Sequence, residues 1–156
     1  MNGVIQAIQV PETVLTSNTA ALPFSIVDLR TASAQNCRGW MNHNEGSALF
    51  SIIEGGIYEI TFNANITAAT AGQVGLALFA DGVEIQGTEM DAAIATPGEY
   101  ENIGFDKKIR VCCKGTVNLS INSVPTIVYS GTGTPVITDT QIPTIKDANI
   151  NIERLA

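Results

Sequence analysis

The residues able to do chemistry are few, and their spacing does not bring them together. His43 is the single histidine of the 156-residue chain and lies in Asn42-His43-Asn44-Glu45. A Ser-His-Asp relay would have to use it, because such a relay needs an imidazole between nucleophile and carboxylate. No nucleophile elbow surrounds Ser47 or Ser51, so His43 reads as a solvated loop residue. Zinc would demand further nitrogen or sulfur ligands, and Cys37 with His43 lacks the paired spacing of structural zinc sites. Glu89 and Asp91 stand two apart on one strand face, where they could bind a cation or act as paired carboxylates. Nothing else in the sequence converges on them, and a solvated face is the expectation. Asp81-Gly82 lacks the further acidic positions of a calcium loop, and residues 131–134 (GTGT) lack the lysine of a phosphate-binding loop. The chain therefore reads as a non-enzyme, with no catalytic residue, no cofactor-binding residue, no metal ligand and no cofactor.

The remaining reactive or sticky side chains have structural readings. Cys37, Cys112 and Cys113 are expected as small buried hydrophobes, since free cysteine is among the most buried residue types. Cys112 and Cys113 are neighbours in what reads as a strand, where successive side chains point to opposite faces. Lys107, Lys108 and Arg110 form the one basic concentration, read as a solvent-facing counterweight or a contact across subunits. Trp40 and Tyr129 could stack on sugars, but core or interface packing is the commoner use of isolated aromatics.

The elements that must position these residues are strands. Apolar and polar residues alternate with a period of two in residues 57–69 (IYEITFNANITAA), which puts Tyr58, Ile60, Phe62, Ala64 and Ile66 on one face. Residues 73–80 (QVGLALFA) and 83–86 (VEIQ) flank Asp81 and Gly82, a two-residue loop that predicts a type I′ hairpin turn. Similar short runs occupy 3–10, 22–30, 47–53, 88–96, 99–113, 116–124 and 148–155, with a short strand expected near Trp40. No 11-residue window carries the helical apolar period. Strands at this spacing, separated by turn signals, mark an all-β sandwich or barrel.

Composition narrows the partners. Eight basic residues stand against 15 acidic ones, giving a formal charge of −7, and only 15% of residues are charged. An acidic, sparsely charged surface repels phosphate, so nucleic acid is not an expected partner. No apolar run is long enough to span a bilayer, so no membrane insertion is expected. No secretory signal opens the chain, which implies synthesis and folding in the cytoplasm. The low charge content suggests surface hidden by oligomerisation.

Three segments taken in order resemble the C1q/TNF-like jelly-roll superfamily. They are Phe50 to Phe62 (FSIIEGGIYEITF), Leu76 to Thr88 (LALFADGVEIQGT) and Asn149 to Leu155 (NINIERL). They are most similar to the C-terminal domain of the exosporium collagen-like glycoprotein and to phage structural proteins of the head-fibre or decoration type. The resemblance covers the chain from about Leu22 onward. It implies an all-β, antiparallel two-sheet jelly roll of about ten strands packed as a homotrimer, with the Tyr58-bearing strand beside the closing strand. It also implies core or trimer packing for Tyr58, Ile60, Phe62, Leu76, Leu78, Phe79, Ile150 and Ile152, and a turn at Asp81 and Gly82. Residues 1–21 are then an N-terminal anchoring segment, either a peg or a sheet strand, and 22–156 the jelly-roll domain. The function implied is a virion structural protein of a phage or prophage that docks to a capsid or tail through its N-terminal segment. The alternative is an adhesive knob, tail-associated or on a spore or cell surface, that binds a glycan or host receptor.

Overall fold

A computed structural model describes residues 3–31, 39–112, 115–125, 127–129, 135–137 and 142–156. The described residues hold fourteen strands and no helix. The count exceeds ten because several strands are only two or three residues long.

One sheet, here sheet A, runs in the order β10 (Glu101–Val111), β6 (Gly56–Ala68), β14 (Pro143–Arg154), β1 (Gly3–Gln9) and β3 (Ile26–Arg30), with β2 (Thr13–Val14) also paired to β14. Sheet B runs β4 (Met41–Asn42), β5 (Phe50–Ile52), β11 (Val117–Ser123), β7 (Gly72–Ala80) and β8 (Val83–Glu84), with β9 (Met90–Ile94) also on β7. A separate hairpin joins β12 (Ile127–Tyr129) to β13 (Pro135–Ile137). The pairings within both sheets are antiparallel.

The period of two decides which face is buried. In β6 the expected set Tyr58, Ile60, Phe62, Ala64 and Ile66 is buried, and Glu59, Thr61, Asn63 and Asn65 point away. Register then places like beside like. Phe62 lies between Phe105 of β10 and Ile150 of β14, and Ile150 pairs with Ala7 of β1. Phe24, Phe50 and Phe62 meet edge-on, with centroids 5.4 and 6.5 Å apart, an arrangement the aromatic quadrupole favours. Trp40 packs on Tyr58 at 5.4 Å, so it belongs to the core rather than to an exposed sugar platform.

Gly3–Gln9 is the strand expected there and takes the sheet-strand alternative, flanked by β14 and β3, with Ile5 and Ala7 core residues. The structure departs from the sequence-based reading at three places. Thr13–Val14, outside the runs that the sequence marks as strands, pairs with β14. The closing strand begins at Pro143 rather than 148, with a bulge between Lys146 and Asn149 where Asp147 takes φ 51°. The strand expected over 22–30 begins at Ile26, because the segment before it serves the other sheet. Leu22 N donates to Ile121 O and Phe24 N to Ser47 O, after which the chain crosses to sheet A.

Candidate interaction surface

Seven of the eight packing residues, Tyr58, Ile60, Phe62, Leu76, Leu78, Ile150 and Ile152, are fully enclosed between the sheets. The protomer's own core uses them, which leaves them no surface to offer a neighbour. Phe79 points away from the core into an open cleft. Asp81 and Gly82 take φ 49° and 78°, the two positive values a type I′ turn requires. The Asp81 carboxylate accepts from Asn118 N at 2.9 Å, which ties the hairpin tip to β11.

The outward face of sheet A is the larger functional candidate. Its rows follow from the register. One reads Asp106, Thr61, Asn151, Gln6 and Leu29, and the next Gly104, Asn63, Asn149, Ile8 and Ile26. The middle of this face is thus amide and hydroxyl, cross-linked where Gln6 Nε2 donates to Asn149 Oδ1 at 3.4 Å. Charge sits toward one end and edge, where Lys108 pairs with Glu59 at 3.2 Å. Apolar surface sits at the β3 edge, where Ile26 is 44% and Leu29 50% exposed beside half-buried Ile8.

At the opposite edge, Phe105 and Ile109 of β10 point inward but are only half covered, Phe105 stacking on Phe62 at 5.9 Å. Gly104 lies where a Cβ would come within 2.6 Å of the Phe62 carbonyl oxygen, so β10 sits close on β6. Sequence reasoning missed Ile8, Ile26 and Leu29 because their adjacency exists only once β1 and β3 pair. It also placed Lys107 with the solvent-facing cations, whereas the period of two in β10 turns Lys107 to the inward side.

A cleft of about 620 Å³ opens on sheet B, lined among others by Phe79, Glu84, Glu89, Asp91 and Asn122. Glu89 and Asp91 face each other there. Burial first, then the Glu89 charge and a hydrogen bond to it, push the Asp91 carboxyl up to about 6. Two carboxylates that share a proton resemble an acid–base pair, but among the described residues no histidine or basic side chain lines the cleft with them. Among the described residues, no group of three or more His, Cys, Asp or Glu could hold a metal ion.

Two further expectations are corrected. His43 is not solvated: it is 3% exposed, with Nδ1 2.8 Å from the Leu49 carbonyl and its ring stacked on Phe50 at 4.0 Å. A loop of polar neighbours hid this, since the covering groups come from β5 and the chain before it. Cys112 is exposed rather than buried, because β10 ends at Val111. Cys37, Cys113, residues 131–134 and the side chain of Tyr129 lie outside the described residues.

No protein-family model and no curated protein matches the sequence. Solved structures do. The globular domain of zebrafish complement 1qA protein superposes with TM-score 0.62 at 10% identity, covering 99% of this chain and 98% of that one. Murine APRIL at pH 8.0 gives 0.59 at 10% identity, covering 99% and 100%. Eiger TNF from S. frugiperda gives 0.56 at 8% identity, covering 100% and 92%. The fold is the C1q/TNF-like jelly roll. At this identity the likeness extends to the fold and no further. Within that jelly roll, β6 with Tyr58 lies beside the closing strand β14, as the resemblance implied.

Proposed function

We propose that the chain is a non-enzymatic, homotrimeric knob whose work is done by surfaces rather than by a catalytic cleft. The observation that carries this reading is the pair of unlike apolar surfaces on opposite edges of sheet A. Ile8, Ile26 and Leu29 form one, and half-covered Phe105 and Ile109 the other. Unlike surfaces that complement each other make heterologous contacts, which close into a ring when the rotation permits. The uncharged row of Thr61, Asn63, Asn149, Asn151 and Gln6 between them supports the reading, since interface centres are depleted of charge. The C1q/TNF-like fold supports three-fold closure.

The finer reading is a structural protein of a phage or prophage virion, decorating a capsid or tail. It rests on the sequence resemblance of the three strand motifs. Gly3 pairs with Arg154, so a docking element at the N-terminus would leave the knob beside its C-terminal strand. Sedimentation equilibrium at micromolar concentration tests the assembly: a trimer is expected, and a monodisperse monomer overturns it. Co-sedimentation with purified particles tests the virion role, and its absence from every particle fraction overturns that.

A second reading, a glycan- or receptor-binding knob, draws on the cleft around Phe79, whose aromatic face, carboxylates and Asn122 amide suit a hydroxylated ligand. A glycan array and a cell-adhesion assay that both come back blank would remove it.

A further inference from the structure

Residues 43–47 staple the edge of sheet A to the edge of sheet B. Arg30 Nη2 donates to the His43 carbonyl at 2.6 Å, and Val27 N donates to Glu45 Oε1 at 3.1 Å. Gly46 N donates to the Phe24 carbonyl at 2.8 Å, and Phe24 N to the Ser47 carbonyl at 3.1 Å. Val27 and Arg30 belong to β3 of sheet A, whereas residues 43–47 lead from β4 to β5 of sheet B. Four hydrogen bonds therefore hold β3 and the segment entering it against the other sheet.

The side chain at the centre of the staple is the chain's single histidine. Its ring is buried on Phe50, and Nδ1 meets the Leu49 carbonyl. A carbonyl can only accept, so Nδ1 carries the proton of the neutral ring and Nε2 is a bare lone pair. Nε2 is buried and has no hydrogen-bond partner among the described residues. The Phe24 carbonyl also faces the ring. A second proton would turn Nε2 into a donor and place a full charge on a ring enclosed by Phe50.

Among the described residues the charged groups acting on the ring are Arg30 from β3 and Glu45 on its own segment, while Phe50 of β5 contributes a neutral wall. Burial and Arg30 oppose a charge, and the two carbonyls and Glu45 favour it. Burial wins and holds the imidazole below its ordinary value of 6.5. At neutral pH the ring is uncharged and the staple intact. In acid, an imidazolium forms in a buried site against Phe50 and beside the Arg30 guanidinium that grips the His43 carbonyl, and opening the segment returns that charge to water.

We propose that His43 is an acid-sensitive latch: charging its ring releases the 43–47 staple and frees β3 from sheet B. β3 also carries Ile26 and Leu29, so release would loosen the assembly. That consequence rests on the trimer reading, whereas the latch does not.

The single histidine makes the test direct. The ring proton resonance of the full chain gives the titration of His43 without assignment. Amide hydrogen exchange, corrected for its intrinsic pH dependence, reports the protection of residues 26–30. The expected result is a midpoint below 6.5, with protection of 26–30 falling by roughly tenfold or more over the same interval while β6 and β14 stay protected. His43→Asn keeps a donor for the Leu49 carbonyl and cannot be charged, so its 26–30 protection is expected to stay flat. A midpoint at or above 6.5, an equal loss in H43N, or a loss shared by β6 and β14 overturns the latch. Should H43N not fold, the wild-type titration and exchange curves decide alone, and curves that fail to coincide overturn it. Sedimentation over the same pH range separates the two ideas: a chain monomeric at every pH sinks the trimer reading and leaves the exchange result to judge the latch.

Discussion

The two faces of sheet A are built from the same strands and obey different rules. Toward sheet B, β6, β14 and β1 present Tyr58, Phe62, Ile150, Ile152, Ile5 and Ala7, all buried. Away from it the same strands present Thr61, Asn63, Asn149, Asn151 and Gln6 at the centre and Glu59 and Glu153 toward one end, and exposed apolar groups gather at the β3 edge. The inward face removes hydrocarbon from water, and it is sufficient to specify the protomer. The outward face keeps its charges, Lys108, Glu59 and Glu153 among them, away from its amide and hydroxyl centre. With the outward face as the proposed assembly surface, folding and assembly are written on alternate residues of the same strands, so each can be broken without the other.

The harshest way to break the comparison is to delete residues 1–20. This removes β1, strips β14 and β3 of a partner, and takes Ile5, Ala7 and Leu15 from the core. Loss of any cooperative thermal transition is the expected outcome. A truncated chain that melts like the intact one would mean that β1 is dispensable to the sheet. Next, Phe62→Ala empties a core site where Phe24 and Phe105 meet, and should cost about 3–5 kcal/mol in denaturant unfolding. A substitution at the outward face should invert that pattern. Leu29→Asp is expected to lower monomer stability by less than about 0.5 kcal/mol, as surface changes do, while converting the proposed trimer to monomer in sedimentation. If L29D remains trimeric, the contact lies elsewhere on the surface.

The smallest effect concerns Asp91. Its carboxyl titrates near 6 in the folded chain against 3.8 ordinarily, so between these values the folded state holds a proton that the unfolded chain has released. Stability therefore falls as pH rises through this window, because ionisation beside Glu89 is disfavoured. Asp91→Asn should match wild type below pH 3.8 and exceed it above pH 6. Because the pair is open to solvent, the gain should be less than about 0.5 kcal/mol. Paired melts at pH 3.5 and 7.5 that show no such crossover would remove the shared proton.

Much of this architecture was legible because alternation is a local signal. Tyr58, Ile60 and Phe62 declare their common face from spacing alone, and Asp81-Gly82 declares its turn by backbone sterics. What was hidden depended on contacts far along the chain. His43 looks solvated among Asn42, Asn44 and Glu45 and is buried only because Phe50 and Leu49 fold over it. Ile26 and Leu29 read as part of an ordinary strand. Their exposure shows once Pro23, Phe24 and Ser25 are committed to crossing between sheets. The short strand Thr13–Val14 carried no signal because two residues cannot display a period.

The pairing of Gly3 with Arg154 has a consequence for how the molecule is made. Sheet A places β14 between β6 and β1, so β1 and β14 are neighbours in space and far apart in sequence. Closing so long a loop is entropically slow, and the rate of folding falls as such contacts dominate. During synthesis, sheet A cannot be completed until Arg154 has cleared the ribosome. Until then β1 and β6 wait with open edges, and the nascent knob must be kept from pairing with its neighbours on the same message.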